Sequence, residues 1–486
     1  MIAPALVWAA IGLFTLFGLV MVTRAARANR GTAEDYFLGS RRLGAAVAGL
    51  SYAATTYSAF MLIVLTGLTY RGGIGALGFE LVYFSGLTLI VLFGPRFWLI
   101  ARRHGFVTPS EMLGGRFASP GLARLVAVAS LLFLLPYCTT QMAGIGLLLS
   151  GVTGGGISLS TAVIVGAALA LVWTLVAGLR SVAWTDAGQA ALMMISALLA
   201  VGFVIWEIGG PQSFADQLAT DWSDHLDVPG PGLWALPTFI ALSLPWFFFP
   251  LSNPQVSQRL FMLRDLGAMK GMIGWVLGFG LVFTLISVTW GLAALILVPE
   301  LENPAEATPA LLGSGAVPVW LALLLILGIL AAAVSTLDSI ALTLASMVSR
   351  DLLPGRGEGL LAGRIVVVLV ILFAAGFGAW NAALVSQLAA MSAAGLLVSV
   401  PTIVAAFFWR RATASGALAS VAGGTVAAIW LVLGAGMSVY DPWLPVTVLG
   451  LAVLLLVAVS LATRPRPGAL DFAGDLRPEL ERHRVW

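Results

Sequence analysis

Runs of mostly apolar residues, each long enough to cross a lipid bilayer as a helix, recur thirteen times along this chain. About 20 such residues in helical conformation match the thickness of the hydrocarbon layer. The runs fall at 3–23, 45–70, 76–101, 122–150, 156–177, 184–207, 233–253, 269–297, 317–349, 362–380, 382–409, 413–435 and 443–463. Several exceed the minimum, which implies tilt or extension beyond the lipid. Of the 486 residues, 60% are hydrophobic and 10% charged, whereas a soluble domain carries about 25% charged residues. With lipid as solvent, backbone groups must bond within the segment, which selects helices. The expected fold class is an all-α polytopic membrane protein of about 13 transmembrane helices.

The positive charges give an orientation. With the N-terminus outside, 24 of the 25 Lys and Arg residues fall on the cytoplasmic side and only Arg71 lies outside. The long outer loops are acidic instead, with Asp216, Asp221, Asp224 and Asp227 in one and Glu300, Glu302 and Glu306 in another. This is the positive-inside distribution, and one span more or fewer would spoil it from that point on. The chain is expected in the cell membrane, multi-pass, with a cytoplasmic C-terminus. Its first run is too long for a signal-peptide core and reads as a retained span. One cysteine, Cys138, excludes an intramolecular disulfide.

Several functions are excluded. The segment Gly73 to Gly78 matches a dinucleotide-binding glycine pattern but follows no strand and reads as a flexible loop. The single lysine, Lys270, lacks the glycine-rich prefix of a nucleotide-binding loop, so no nucleotide partner is expected. The charge excess of +3 gives no reason to expect nucleic acid. His104, His225 and His483 lie in loops or the tail, outside any intramembrane metal site. No nucleophile–base pair is present, so the chain is not expected to be an enzyme. The tail beyond Ala462 is too short for a signalling domain.

Ionisable residues inside a membrane are costly and point to function. Glu80, Asp186 and Asp338 lie within spans, while Glu207 is interfacial. The ninth span carries Ser335, Thr336, Asp338, Ser339, Thr343, Ser346 and Ser349 on an arc of about 160°. Hydroxyls alone serve as packing glue between membrane helices; a carboxylate among them makes an oxygen-rich ion site. Asp186 reads either as a cap at the cytoplasmic surface or as part of an ion exit. Glu80 reads either as a buried site residue or as a carboxylate reaching outer water. The second span holds Thr55-Thr56-Tyr57-Ser58 mid-membrane, and the seventh holds Pro245, Pro250 and Asn253-Pro254. Interrupted helices at matching positions in two halves point to a transporter binding site. Spans 2 and 7 are five apart, which suits two five-span repeats of opposite orientation.

At these residues the chain resembles the sodium:solute symporter family, whose members carry proline, pantothenate, sialic acid and glucose. The resemblance rests on Asp35-Tyr36-Phe37-Leu38-Gly39-Ser40-Arg41, on Trp184-Thr185-Asp186 with Gln189, on Gln258-Arg259 after Asn253, and on Ala332 to Ser339 followed by Arg350-Asp351-Leu352. It implies a LeuT-type core of five plus five inverted spans. It also implies a sodium site from the Ala54, Tyr57 and Ala332 carbonyls and the Ser335 and Thr336 hydroxyls. A second ion would use Asp186, Asp338 and Ser339. Glu80 and Asn253 match polar residues that contact sugar in a galactose-carrying relative. There are departures: Thr56 replaces an aspartate of the proline transporter, Met61 replaces a glutamine of the galactose relative, and Asp338 replaces a serine. The eighth span also has no buried lysine.

The chain is therefore expected to be a sodium-coupled symporter importing a small organic solute by alternating access, with sodium as coupling ion and lipid as its surroundings. Substrate candidates are Thr56, Ser58, Phe60, Glu80, Gln141, Trp246 and Asn253; Phe60 and Trp246 suit lipid-facing or packing positions equally well. The expected division is 1–44 for the first span and loop, 45–207 for the first repeat, 208–232 for an acidic outer loop, 233–409 for the second repeat, 410–463 for two peripheral spans and 464–486 for the tail. A proton-coupled symporter, a solute sensor on a transporter fold, and a channel are the alternatives. The lack of a buried basic residue mildly disfavours an anionic substrate.

Overall fold

The computed structural model describes residues 1–26, 38, 41–353, 360–380 and 385–483. Most of the Asp35–Arg41 motif lies outside them. The described chain is helical from end to end, because each helix satisfies its own peptide groups where water is absent. In chain order, α1 is Pro4–Ala26, α2 Ala45–Thr56 and α3 Leu65–Gly72, preceded by a π-helical turn over Phe60–Val64. Next come α4 (Gly75–Leu87), α5 (Leu89–His104), α6 (Pro109–Arg116), α7 (Pro120–Val152) and α8 (Leu159–Glu207). Helix α9 is Pro211–Asp221, α10 Leu236–Phe247, α11 Leu266–Leu297 and α12 Val319–Met347. The remainder are α13 (Leu360–Trp380), α14 (Val385–Leu396), α15 (Val400–Phe408), α16 (Ala414–Ile429), α17 (Trp443–Ala462) and α18 (Phe472–His483).

Among the described residues, nine helical stretches are long and apolar enough to cross a membrane, and ten if the bent pair α2 and Phe60–Gly72 is one span. Pro4–Val20, Leu159–Leu175 and Leu236–Phe247 are apolar but shorter. The expected thirteen spans require those three to cross as well. Helix α8 holds two of the expected spans. Asp186 and Ser339 share Arg259, and a side chain at Gly328 would meet Ser196, so the later arm runs antiparallel to α12. Extended straight back, Thr174 would fall near the far end of α12. Instead it bonds Asp338 at 2.7 Å, so Leu159–Leu175 packs as a separate arm.

The lipid-facing surface is apolar. On α13, Leu361, Ile365, Leu369 and Leu372 recur at helical spacing and are all exposed. Trp206, Trp320, Trp430 and Trp443 are exposed at helix ends, where amphipathic rings suit a headgroup layer. Helix α12 is the opposite case: every residue from Leu325 to Met347 is buried except Leu327. The tail forms α18, whose Phe472 is buried against Phe407 at 5.3 Å between ring centres. Asp475 pairs with Arg103 and His104, each at 3.0 Å. The Gly73–Gly78 segment is a packed turn rather than a flexible loop. Gly73 has φ 72°, its added Cβ would strike the His225 backbone, and Gly75 lies against Trp234.

Candidate functional site

Two helix breaks build the centre of the molecule. Helix α2 ends where Tyr57 leaves helical geometry at φ −95° and ψ 88°. The Ser58 hydroxyl accepts the Phe60 N–H at 3.1 Å, and the chain resumes with a bend of 47°. A break leaves carbonyls without helical partners, and buried carbonyls need others. The Ala54 carbonyl accepts from Ser335 Oγ at 3.1 Å and from Thr336 Oγ1 at 3.2 Å. The Thr56 carbonyl accepts from the Tyr83 hydroxyl at 3.1 Å. Ser335 Oγ also lies 3.0 Å from the Ala332 carbonyl. Of the expected sodium ligands, the structure thus gathers Ala54, Ala332, Ser335 and Thr336, with Tyr57 at the break itself. The second break follows α10: Pro254 opens the next turn, and Asn253 is extended at φ −99° and ψ 107°.

Beside the first break lies a polar network centred on Arg259. Its guanidinium bonds Asp186 at 2.8 Å, Ser51 at 3.0 Å and the Gln255 carbonyl at 2.8 Å, and it reaches Ser339 as well. Ser51 also donates to Asp186 at 2.8 Å. Ser339 continues to Thr55 at 3.0 Å and to the Ser335 carbonyl at 2.6 Å. Both charges are enclosed, Arg259 at 2% exposure and Asp186 at 0%. This overturns two expectations. Asp186 is not a surface cap, and the core does contain a buried base. Sequence spacing hides the pairing because 73 residues separate the partners. The second-ion candidates are split: Asp186 and Ser339 meet on Arg259, whereas Asp338 accepts from Thr174.

Of the substrate candidates, Phe60 and Trp246 belong to an aromatic cluster, and Ser58 bonds to its edge through Tyr137. Phe60 and Trp246 lie 4.8 Å apart between ring centres, and Trp246 stacks on Phe249 at 5.3 Å. Both Phe60 and Trp246 are buried, which excludes the lipid-facing alternative. Tyr83 packs edge-on to Trp246 at 5.1 Å, and Ser58 bonds the Tyr137 hydroxyl at 3.1 Å. Thr56 turns its hydroxyl back to the Tyr52 carbonyl at 2.7 Å. Gln141 donates to the Tyr137 carbonyl at 3.4 Å. Asn253 lies beyond the second break, bonded to Ser252 and Gln255, each at 3.0 Å. Glu80 is fully buried rather than turned to outer water, with Thr284 3.5 Å away. No motif in the sequence marks Ser51, Tyr83, Tyr137, Thr174 or Phe249 as part of this centre. A cluster of tyrosines within apolar runs was the available signal for two of them.

A multi-helix membrane protein with interrupted helices and oxygen-lined breaks at its centre has the features of a LeuT-type fold. Comparison with known proteins agrees. A sodium-coupled sialic acid symporter, solved in a substrate-bound outward-open state, superposes with a TM-score of 0.76 at 20% identity, over 96% of this chain and 98% of that one. The chain matches the sodium:solute symporter family over residues 36–424 and belongs to that family. Symporter YodF of Bacillus subtilis, itself uncharacterized, is 25% identical over 86% of both chains. The sodium/proline symporter of Haemophilus influenzae is 26% identical over 85% of both. The chain is a multi-pass membrane protein and a symporter of small solutes.

Proposed function

We propose that the chain imports a small organic solute by alternating access, driven by inward sodium, with its N-terminus outside and its C-terminus in the cytoplasm. The observation that carries this reading is the convergence of the Ala54 and Ala332 carbonyls with the Ser335 and Thr336 hydroxyls at the break of α2. A cation held by oxygens ~2.4 Å away keeps neighbouring ligand oxygens ~3–3.5 Å apart, the spacing found here. Hydroxyl protons that now point at carbonyls rotate outward, and four oxygens plus the Tyr57 carbonyl face the ion. Binding would draw α2 onto α12. Solute would rest on the far side of the same break, among Thr56, Ser58, Phe60, Glu80, Gln141, Trp246 and Asn253. Coupling follows because ion and solute share one broken helix.

The two breaks, at Tyr57 and at Phe248–Asn253, support division into repeats at 45–207 and 233–409. The segment 208–232 joins them outside, with 410–463 peripheral and 1–44 and 464–486 flanking. A second ion at Asp186, Asp338 and Ser339 requires Arg259 to release Asp186 during the cycle. One observation favours a proton-coupled variant: Asp338 is a buried carboxyl held by Thr174, one turn from Ser335. The test is solute-induced current in proteoliposomes under an inward sodium gradient, with monocarboxylates, amino acids, sugars and vitamins as probes. A saturable, sodium-dependent current that is lost in Ser335→Ala/Thr336→Ala supports the reading. A current that ignores sodium, follows pH and survives the double substitution sinks it in favour of protons.

A further inference from the structure

The solute side of the centre holds a buried acid with no base bonded to it among the described residues. Glu80 is 0% exposed. One of its carboxylate oxygens has no protein partner among the described residues, and the other has only the distant Thr284 hydroxyl at 3.5 Å. Gln141 uses its amide nitrogen on the Tyr137 carbonyl, which leaves Oε1 as a second buried acceptor without a donor. That amide is not ambiguous, since only its nitrogen can donate to a carbonyl. Among the described residues the most deeply buried arginine, Arg259, is committed to Asp186, Ser51, Ser339 and Gln255. It has nothing left to offer Glu80.

A buried carboxyl without a counter-charge is neutralised either by a proton or by a cation that a ligand brings. The walls suit a cation too. Glu80 lies beside Thr284, one helical turn from Gly280, against which the Tyr57 hydroxyl packs, and Tyr83 follows Glu80 by one turn on α4. Tyr57 packs against Tyr83 at 5.8 Å and Phe283 at 6.0 Å, and Tyr83 against Trp246 at 5.1 Å between ring centres. Such faces attract ammonium groups. A sugar hydroxyl would supply donors but no charge, and a simple carboxylic acid would add a second negative charge.

We propose that the transported solute carries a positively charged nitrogen, an ammonium or methylated ammonium, which Glu80 neutralises inside the aromatic cluster around Tyr57, Tyr83 and Trp246. This rests on the symport reading only in placing solute beside the break of α2.

The test is thermal stabilisation of the purified protein, followed by tryptophan fluorescence, in sodium chloride and in potassium chloride. Probes are matched pairs that differ at the nitrogen: L-alanine against L-lactate, L-proline against cyclopentanecarboxylate, and choline against 3,3-dimethylbutan-1-ol, with galactose as the sugar. The expected result is that only nitrogen-bearing members stabilise. Glu80→Gln, which keeps the shape and removes the charge, should weaken that binding by about thirtyfold or more. Trp246→Leu gives an independent check and should weaken choline-like more than neutral probes. Stabilisation by lactate, galactose or a neutral member, unchanged in Glu80→Gln, overturns the proposal while leaving symport intact; so does the failure of every nitrogen-bearing probe. Stabilisation by an amine that ignores sodium and survives Ser335→Ala instead breaks the symport reading and keeps the amine class.

Discussion

Two acids in the core meet opposite fates. Asp186 sits in a network that Arg259, Ser51 and Ser339 tie together from four parts of the chain. Glu80 is equally buried but lacks a base, and one of its oxygens has no protein partner. Each acid leaves one oxygen without a protein partner among the described residues, so the base is what separates them: a paired charge holds helices in place, and an unpaired one is open to the charge of a ligand. The first joins α2, α8, α12 and the Gln255–Arg259 segment. The second is the acid proposed to meet the solute. The sodium candidates at Ser335 and Thr336 lie between them, in touch with the first through Ser339 and with the break that leads to the second.

The sharpest way to break this comparison is to remove the base. Arg259→Met strands Asp186 as a buried charge and should cost about 3–5 kcal/mol of stability, measured by denaturant unfolding in a defined detergent. Adding Asp186→Leu should restore much of that loss, since an apolar pair of similar volume replaces an ion pair with little penalty. If the single substitution were harmless, Asp186 and Arg259 would not be a structural unit. A smaller effect is expected where Asp338 leans on Thr174. Thr174→Val leaves the carboxyl without that donor and should cost about 1–3 kcal/mol. The smallest change belongs to Glu80. Glu80→Gln removes an unpaired buried charge and should alter the unliganded protein by less than about 1 kcal/mol, or stabilise it. A large loss there would mean that Glu80 is held by the fold, and the contrast with Asp186 would disappear.

Much of the fold was legible in the sequence because lipid makes it so. Apolar length reports each helix, and the break of α2 was visible in Thr55-Thr56-Tyr57-Ser58, polar residues where lipid would demand apolar ones. Pro245, Pro250 and Asn253-Pro254 marked the second break in the same way. The hydroxyl stripe of α12 was legible for a related reason: Ser335 and Thr336 had to face protein. What the sequence concealed were choices of partner. Nothing in the spacing of Gln258-Arg259 says that the guanidinium turns inward to Asp186 rather than outward to water. Likewise Glu80, near the end of its apolar run, could have reached outer water, and only the packing of α4 and α11 around it closes that route. Tyr83, Tyr137 and Phe249 looked like ordinary apolar filling until the second break brought Trp246 among them. The tail was read as a short extension, yet Phe472 and Asp475 seat α18 against α5 and α15, contacts that no local pattern announces.

The most direct test of sodium coupling needs no knowledge of the solute. The melting temperature of the purified wild type would be followed as sodium replaces potassium at constant ionic strength, alongside Ser335→Ala/Thr336→Ala. A ligand that binds only the folded protein stabilises it by an amount that grows with the logarithm of its concentration above Kd. The expected result is a shift that keeps rising with the logarithm of sodium concentration but is absent with potassium in the wild type, and a flat line in the double substitution. A wild type indifferent to sodium, or a double substitution that responds as the wild type does, would contradict sodium binding at the break of α2.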